Sequence, residues 1–155
     1  MVEVRRVDFS NELDKVLDIY REYVSSTSIN LDFQKNEKEF ANLSGKYDIP
    51  GAGIFLAWVG NEVVGCAAYR KVSDSTCEMK RVYVRPNSRG NRLGSVLVER
   101  VIKEARASDY KKMYLDVLPE FEAALALYKS YGFKPDKPVT FNPILGTTFL
   151  SLALS

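Results

Sequence analysis

The sequence predicts an α/β fold whose sheet is mixed and mostly antiparallel. Three observations support this prediction. Residues 53–84 contain three runs rich in strand-forming residues, separated by two turn signals, which is typical of an antiparallel meander. Residues 79–95 predict a strand, a glycine-bearing loop and the first turn of a long helix. Another apolar strand follows that helix, and strands joined by a helical crossover lie parallel to each other.

The chain begins with a strand and a helix. Residues 2–7 alternate enough to form the first strand. Ser10 or Asn11 can cap the helix that follows. The apolar residues of that helix are spaced to share one face, and they are Leu13, Val16, Leu17, Tyr20, Tyr23 and Val24. A second, weaker helix is predicted over residues 32–43, and Gly45 with the turn at residues 49–51 ends that region.

The meander starts with a strand over residues 53–59. The chain then turns back through Gly60-Asn61, a hairpin signal, and residues 62–70 form the antiparallel partner. A second turn at residues 73–75 leads into the third strand, over residues 76–84.

The third strand of the meander changes parity along its length. Cys77 and Met79 share one parity of the alternation, whereas Val82 and Val84 share the other. Two explanations remain open. Either both faces of this strand are buried, or a β-bulge switches the face to which the side chains point.

The rest of the chain predicts a crossover, a helix and a closing strand. We expect a helix over residues 93–107, a strand over residues 111–118 and another helix that begins near Pro119. After a loop, residues 147–154 close the chain as an apolar strand. The last helix ends at Gly132, and its apolar face consists of Phe121, Ala124, Leu125 and Tyr128.

Length, composition and charge are those of an ordinary globular chain. The 155 residues fit one domain with its own core, and we take residues 1–155 as a single domain. Hydrophobic residues make up 46% and charged residues 27%, and a net charge of +2 is too small to indicate nucleic acid or membrane by itself. No apolar run approaches the roughly 20 residues that span a bilayer. Because the first residues also lack an apolar signal core, we expect a cytoplasmic protein.

The chain has no histidine and two cysteines, Cys66 and Cys77. A zinc site normally needs about four Cys, His or carboxylate ligands, so we expect no metal site. Without histidine, a Ser-His-Asp or Cys-His arrangement is excluded. Acid–base chemistry then falls to Tyr, Glu, Asp, Lys, Cys or water. We interpret both cysteines as small apolar residues in strands.

The strand-to-helix turn within residues 79–95 is a candidate phosphate site. The backbone N–H groups of such a turn are unpaired, and the helix dipole places partial positive charge there. Arg85, Arg89 and Arg92 add three positive charges. A solvated basic loop is the alternative. Other phosphate motifs fit worse, because the segment has neither a Gly-Lys-Ser/Thr ending nor Gly-x-Gly-x-x-Gly.

Two segments together resemble the GNAT acetyltransferase superfamily. Residues 89–94, Arg-Gly-Asn-Arg-Leu-Gly, resemble the family's (Gln/Arg)-x-x-Gly-x-(Gly/Ala) loop, with Arg92 where the family usually has its middle glycine. Residues 123–133 resemble its Ala-x-x-Leu-Tyr-x-x-x-Gly-Phe segment. The resemblance covers residues 2–153. It implies a GNAT-like sheet of about seven strands with a central splayed parallel pair, flanked by about four helices.

The resemblance implies acetyl-CoA as the donor of an acetyl group, which moves to a primary amine by direct transfer in a ternary complex. The pantetheine arm would lie in the gap that a bulge opens and pair like an added strand with Val82, Tyr83 and Val84. One of these N–H groups would polarise the thioester oxygen. The diphosphate would lie on the backbone of the loop, at Arg89, Gly90, Asn91, Arg92, Leu93, Gly94 and Ser95.

The resemblance also implies two catalytic residues. Tyr128 matches the family's donor of a proton to the leaving thiolate, and a phenol suits this role because its pKa of about 10 is close to that of a thiol. The alternative for Tyr128 is a core aromatic. Glu78 matches a base that acts directly or through water, and the alternative is a solvated or ion-paired glutamate. The asparagine with which the family often holds pantetheine has no match in residues 119–122.

The acceptor is expected to be an amine on a small molecule or a peptide. The walls of the acceptor pocket would be the connection after the first helix and the loop at residues 138–146. Candidate lining residues are Tyr23, Asp32, Phe33 and Phe141. We expect no nucleic-acid or membrane partner, and a homodimer is left open. The alternative function is a non-catalytic acyl-CoA-binding regulatory module that kept the loop and lost turnover.

Overall fold

The computed structural model describes residues 2–27 and 36–155. Its strands are β1 (Val2–Arg6), β2 (Gly53–Val59), β3 (Glu62–Lys71), β4 (Thr76–Val84), β5 (Lys112–Val117), β6 (Lys134–Pro135) and β7 (Thr148–Ala153). They form one seven-stranded sheet in the order β1-β2-β3-β4-β5-β7-β6. Neighbouring strands are antiparallel except β4 and β5, which are parallel. The predicted α/β fold with a mixed, mostly antiparallel sheet is confirmed.

The described residues form five α-helices, one more than expected. They are α1 (Leu13–Ser26), α2 (Asn36–Phe40), α3 (Leu43–Tyr47), α4 (Leu93–Ala107) and α5 (Glu122–Ser130). The extra helix arises because two short helices follow each other where one was predicted, and residues 32–35 of that prediction lie outside the described residues. Gly45, which was expected to end the region, lies inside α3, where a Cβ would overlap the side chain of Asn42. None of the described helices is long and apolar enough to cross a membrane.

The first helix begins without a side-chain cap, so the predicted capping by Ser10 or Asn11 is wrong. Both side chains instead donate hydrogen bonds to the carboxylate of Asp8, at 2.6 and 2.8 Å. Glu12 reaches back and accepts the backbone N–H of Asp8 at 2.9 Å. The turn around Asp8 therefore uses the hydroxyl and the amide that would have capped the helix.

Each face of the sheet has its own apolar layer. One face packs against α4, whose buried residues recur every three or four positions and so form one stripe: Leu93, Leu97, Val98, Val101, Ile102 and Ala105. Helices α1 to α3 pack against the other face, where the buried helical residues include Val16, Ile19, Tyr20, Leu43 and Tyr47. Strand β4 lies between these two layers and contributes to both.

The parity change in β4 is a β-bulge. Cys66 of β3 pairs with Tyr83, and Ala68 pairs with Lys80, so Arg81 and Val82 both lie opposite Ala67. Arg81 takes up the extra residue in the left-handed region, with φ +58°. Because of this bulge, residues before and after it point to the α4 side of the sheet, namely Cys77, Met79, Val82 and Val84. Of the two explanations left open by the sequence, the switch of parity is the one that the structure shows.

The bulge coincides with the separation of the two parallel strands. β4 and β5 pair only at their beginnings, over residues 76–78 of β4 and 112–114 of β5. Beyond Glu78 the ladder stops, although both strands continue to Val84 and Val117. The central parallel pair is therefore splayed, as expected, and it opens toward the N-terminus of α4.

Candidate active site

A cleft of about 640 Å³ fills the space between the splayed strands. It runs from the N-terminus of α4, past the free edge of β4, to the first turn of α5. Nine of the predicted cofactor-binding residues line it, namely Val82, Tyr83, Val84, Arg89, Gly90, Arg92, Leu93, Gly94 and Ser95. Tyr128 also lines this cleft, whereas Asn91 and Glu78 are not among its lining residues.

The edge of β4 that faces the cleft has no strand partner in β5 beyond Glu78. An extended ligand that contains amide groups can pair with such an edge as an added strand does. Residues 82–84 provide this edge at the level of the bulge. The splay thus fits the pantetheine arm, which is an extended chain with two amides.

The N-terminus of α4 provides the second feature of the cleft. Arg92 is the N-cap residue, with φ +58° and ψ 23°, and no side chain caps the helix among the described residues. The first backbone N–H groups of this 15-residue helix therefore remain available to an anionic ligand. Gly90 also has positive φ, at +92°, so the loop makes two left-handed steps before the helix begins.

The left-handed backbone at Arg92 explains why the family motif usually has a glycine at the corresponding position. A non-glycine residue in this region costs roughly 1 kcal/mol or more of backbone strain. Arg92 carries this strain, and it is an exposed residue that lines the cleft. Gly94, in the first turn of α4, lies close to α5, since a Cβ there would be 3.4 Å from Leu127 Cδ2.

Two of the three predicted arginines lie at the cleft. Arg89 lines it, donates from Nε to the carbonyl of Val84 at 3.0 Å, and lies over the Tyr83 ring at 5.7 Å. Arg85 does not, because its guanidinium forms ion pairs with Asp18 at 3.0 Å and Glu22 at 3.2 Å on α1. The expectation that Arg85 adds an unneutralised positive charge to the loop is therefore wrong.

Tyr128 is a buried residue that lines the cleft. Its ring packs edge-on against Phe133, with centroids 5.8 Å apart, and only 6% of the residue is exposed. Burial, together with the nearby Tyr23 and Asp116, raises the pKa of Tyr128 above the ordinary phenol value. The hydroxyl therefore stays protonated near neutral pH and can donate a proton or a hydrogen bond. The ring is part of the core and the residue also lines the cleft, and the role of Tyr128 as a proton donor stays a prediction.

Glu78 is placed differently from Tyr128. It is 2% exposed, and its carboxylate accepts from Arg70 Nε at 3.3 Å and from Thr140 Oγ1 at 2.9 Å. Arg70 Nη2 forms a second contact at 3.2 Å. The ion-paired state that the sequence left open is thus what the structure shows. A role as base stays a prediction, and the structure does not bring Glu78 into the cleft beside Tyr128.

Asp116 is the carboxylate that sequence reasoning missed. It lies on β5 and lines the cleft, and its charge contributes to the raised pKa values of Tyr23 and Tyr128. The side-chain amide of Asn142 donates to its Oδ2 atom at 3.0 Å, which holds the carboxylate in place. A signal was present, since Asp116 is a single acidic residue inside the apolar run Met-Tyr-Leu-Asp-Val-Leu.

Aromatic residues form the wall between Asp116 and α1. Tyr23, one of the expected wall residues, lines the cleft, and its ring contacts Tyr83 at 5.5 Å and Phe121 at 6.3 Å. Burial raises the pKa of Tyr23 to about 12. Phe141 is 75% exposed and is not among the lining residues. Asp32 and Phe33, the other two candidates, lie outside the described residues.

The cysteines are not placed for covalent chemistry. Both are buried, and the Cys66 thiol donates to the carbonyl of Arg81 at 3.1 Å. Burial raises the pKa of each thiol to about 12, so neither is a thiolate near neutral pH. Within the described part of the chain, no group of three or more acidic or cysteine side chains is placed to hold a metal ion.

Comparisons with known proteins agree with this geometry. The Acetyltransferase (GNAT) family profile matches residues 13–133. An uncharacterized N-acetyltransferase of Schizosaccharomyces pombe is 36% identical over 99% of this chain and 96% of its own. An acetyltransferase from Streptococcus agalactiae has a similar fold, with a TM-score of 0.81 at 21% identity over 98% of both chains. So has a putative acetyltransferase from Salmonella typhimurium, solved with its cofactor acetyl-CoA, with a TM-score of 0.73 at 24% identity over 99% of this chain and 94% of its own.

Proposed function

The chain belongs to the GNAT acetyltransferase family, and from this premise we propose that it moves an acetyl group from acetyl-CoA to a primary amine by direct transfer. One observation supports the proposal above the others. A single cleft joins an uncapped helix N-terminus, a free strand edge and a protonated tyrosine hydroxyl. The proposal treats the chain as one N-acetyltransferase domain.

The loop and the strand edge would hold the donor. Backbone N–H groups of residues 89–95 would bind the diphosphate, and Arg89 and Arg92 would add charge. Backbone groups of residues 82–84 would pair with the pantetheine amides. Acetyl-CoA, when bound there, supplies an acetyl group activated as a thioester. One N–H group at the bulge would donate to the carbonyl oxygen as negative charge develops on it.

Asp116 would receive the acceptor. Its carboxylate would hold the ammonium group and accept one proton, which leaves the nitrogen with a free lone pair. The nitrogen then forms a bond to the thioester carbon while the carbon–sulfur bond breaks. Tyr128 would give its proton to the departing sulfur and regain one from the nitrogen that has become an amide. Overall, an ammonium group and a thioester are converted into an amide, a thiol and one released proton.

The buried cysteines support transfer without a covalent enzyme intermediate. A nucleophilic cysteine needs a lowered pKa and access to the substrate, and Cys66 and Cys77 have neither. The carbonyl would therefore be attacked by the amine itself, in a complex that contains both substrates.

A two-part experiment distinguishes the proposed enzyme from a non-catalytic acyl-CoA-binding module. CoA and acetyl-CoA are first tested for thermal stabilisation of the protein. Release of free thiol from acetyl-CoA is then followed with a broad panel of primary amines. Stabilisation with amine-dependent thiol release supports the enzyme. Stabilisation without turnover on any amine supports the regulatory module, and the absence of both contradicts the whole proposal.

A further inference from the structure

Lys80 lies on β4 one residue before the bulge, on the side of the sheet away from α4. Its cross-strand partner is Ala68, which belongs to the apolar layer that faces α1 and α3. Paired residues in a ladder point to the same face, so Lys80 points to that side. Glu78, two residues earlier, points the same way. Lys80 is also one of the residues that line the cleft.

The two carboxylates that act electrostatically on Lys80 are already paired with arginines. Glu78 is bound by Arg70, and the carboxylate of Glu39 is bound by Arg81 and by the hydroxyl of Tyr47 at 2.7 Å. Within each of these two pairs, the negative charge of the glutamate is balanced by the positive charge of the arginine. The fifth charged group of this cluster is Lys80, which adds one positive charge that no carboxylate of the cluster balances.

Among residues 2–27 and 36–155, no side chain forms a hydrogen bond or ion pair with the Lys80 ammonium, and Lys80 is half-buried. Burial lowers the pKa of Lys80, and Arg70 and Arg81 act in the same direction, while Glu78 and Glu39 oppose them. An amine in such a position gains more from an anionic partner than a solvated lysine does, because less water has to be displaced. The cleft provides the space for that partner.

Charge is distributed asymmetrically across the splayed strands. β4 contributes two cations, Arg81, which is paired with Glu39, and Lys80, and β5 contributes the anion Asp116, which lies near Tyr128. A ligand with one anionic and one cationic group would be oriented by this pair. The cationic end is directed to the proton donor, as amine acetylation requires.

We propose that the acceptor carries a carboxylate beside its amine, and that Lys80 binds this carboxylate while the amine lies between Asp116 and Tyr128. The substrate class is therefore a free amino acid or a related aminocarboxylate. A peptide N-terminus is disfavoured, because the carboxylate next to its amine has become an amide. This inference rests on the function proposed above and narrows its substrate class.

The test compares each L-amino acid with its own amide and with its decarboxylated amine, as acceptors for acetyl-CoA. Thiol release provides kcat and KM, and thermal shift in the presence of CoA reports acceptor binding without turnover. For the best amino acid, we expect kcat/KM to exceed that of its amide by roughly ten- to a hundredfold, mainly through KM. Lys80→Met, which keeps the apolar stem and removes the charge, should abolish this preference.

Lys111→Gln is the matched control, since it removes an exposed lysine that does not line the cleft. It should keep the preference for amino acids, and melting curves confirm that both variants fold. Equal use of amino acids and amides, or better use of a dipeptide, would overturn the inference while amine acetylation itself stands. CoA binding without any acceptor binding or turnover overturns both proposals, as does a failure to bind CoA.

Discussion

Arg81, the extra residue of the β4 bulge, forms a buried ion pair with Glu39 of α2. The side chains are 1% and 6% exposed, and Asn36 accepts a further hydrogen bond from Arg81 Nη2 at 2.9 Å. The pair joins the bulge that opens the cleft to a helix on the other side of the sheet. The left-handed backbone of Arg81 is therefore held by its side chain as well as by the ladder.

Removal of one partner of this pair should destabilise the protein strongly. Glu39→Gln leaves the Arg81 charge buried without its carboxylate, and we expect a loss of about 3 kcal/mol in the free energy of unfolding. The measurement is urea unfolding at neutral pH. The double variant Glu39→Gln with Arg81→Met should recover part of this loss. If the single variant matches the wild type, the pair does not stabilise the fold.

The same pair predicts a dependence of stability on pH. Desolvation raises the pKa of Glu39, but the charges of Arg81 and Lys80, together with hydrogen bonds from Arg81 and Tyr47, bring the pKa below the ordinary value of 4.5. The stability that Glu39 contributes is therefore complete above this ordinary value and is lost as the pH falls through the folded-state pKa. The difference between wild type and Glu39→Gln should shrink as unfolding is measured at lower pH. A difference that is constant with pH would contradict this linkage.

Tyr128→Phe should lower kcat by about a hundredfold or more while CoA affinity is unchanged. The change removes the proton donor and keeps the ring that packs on Phe133. Because the pKa of Tyr128 is raised by burial, wild-type kcat should show no loss from its ionisation at mildly alkaline pH. Tyr110→Phe, which removes a hydroxyl bonded to Gly51 away from the cleft, is the control. Turnover near the wild-type rate in Tyr128→Phe would eliminate the proposed role.

Asp116→Asn should lower kcat/KM more than tenfold near neutral pH, since a neutral amide neither attracts an ammonium group nor accepts its proton. The difference in kcat/KM between wild type and Asp116→Asn should become smaller as the pH rises, because more of the acceptor amine is then already uncharged. The control is Asp109→Asn, at an exposed left-handed turn where asparagine is well tolerated. Glu78→Gln is measured in parallel. A pH–rate profile that moves in Glu78→Gln and not in Asp116→Asn would assign the base to Glu78.

Arg92→Gly should move stability and CoA affinity in opposite directions. Glycine relieves the left-handed strain at φ +58° and should raise the free energy of unfolding by about 1 kcal/mol. Loss of the guanidinium should weaken CoA binding about tenfold at low salt, and less at high salt. Arg92→Ala removes the charge without relieving the strain, so only the affinity should fall. Unchanged CoA affinity in both variants would place the diphosphate elsewhere.

Much of the candidate cleft could be predicted because its residues are local in sequence. The strand, the glycine loop and the first turn of α4 are consecutive, and the parity change at Val82 and Val84 is visible in the alternation of residues. Tyr128 lies on the helix that was predicted for it and lines the cleft. Arg85 and the cap of α1 were predicted wrongly, because nearby carboxylates on Asp8, Asp18 and Glu22 compete for those groups.

The order of strands and helices, the antiparallel meander and the glycine loop before α4 could be predicted from the sequence, since each depends on the spacing of neighbouring residues. Which charged groups meet could be seen only in the folded chain. Glu78 lies with Arg70 and Thr140, whereas Lys80 and Asp116, on two strands that separate, face one cleft. Charge pairing depends on distance and burial in three dimensions, and no periodicity along the chain records either. The two groups proposed to bind the acceptor line one cleft because β4 and β5 separate beyond Glu78.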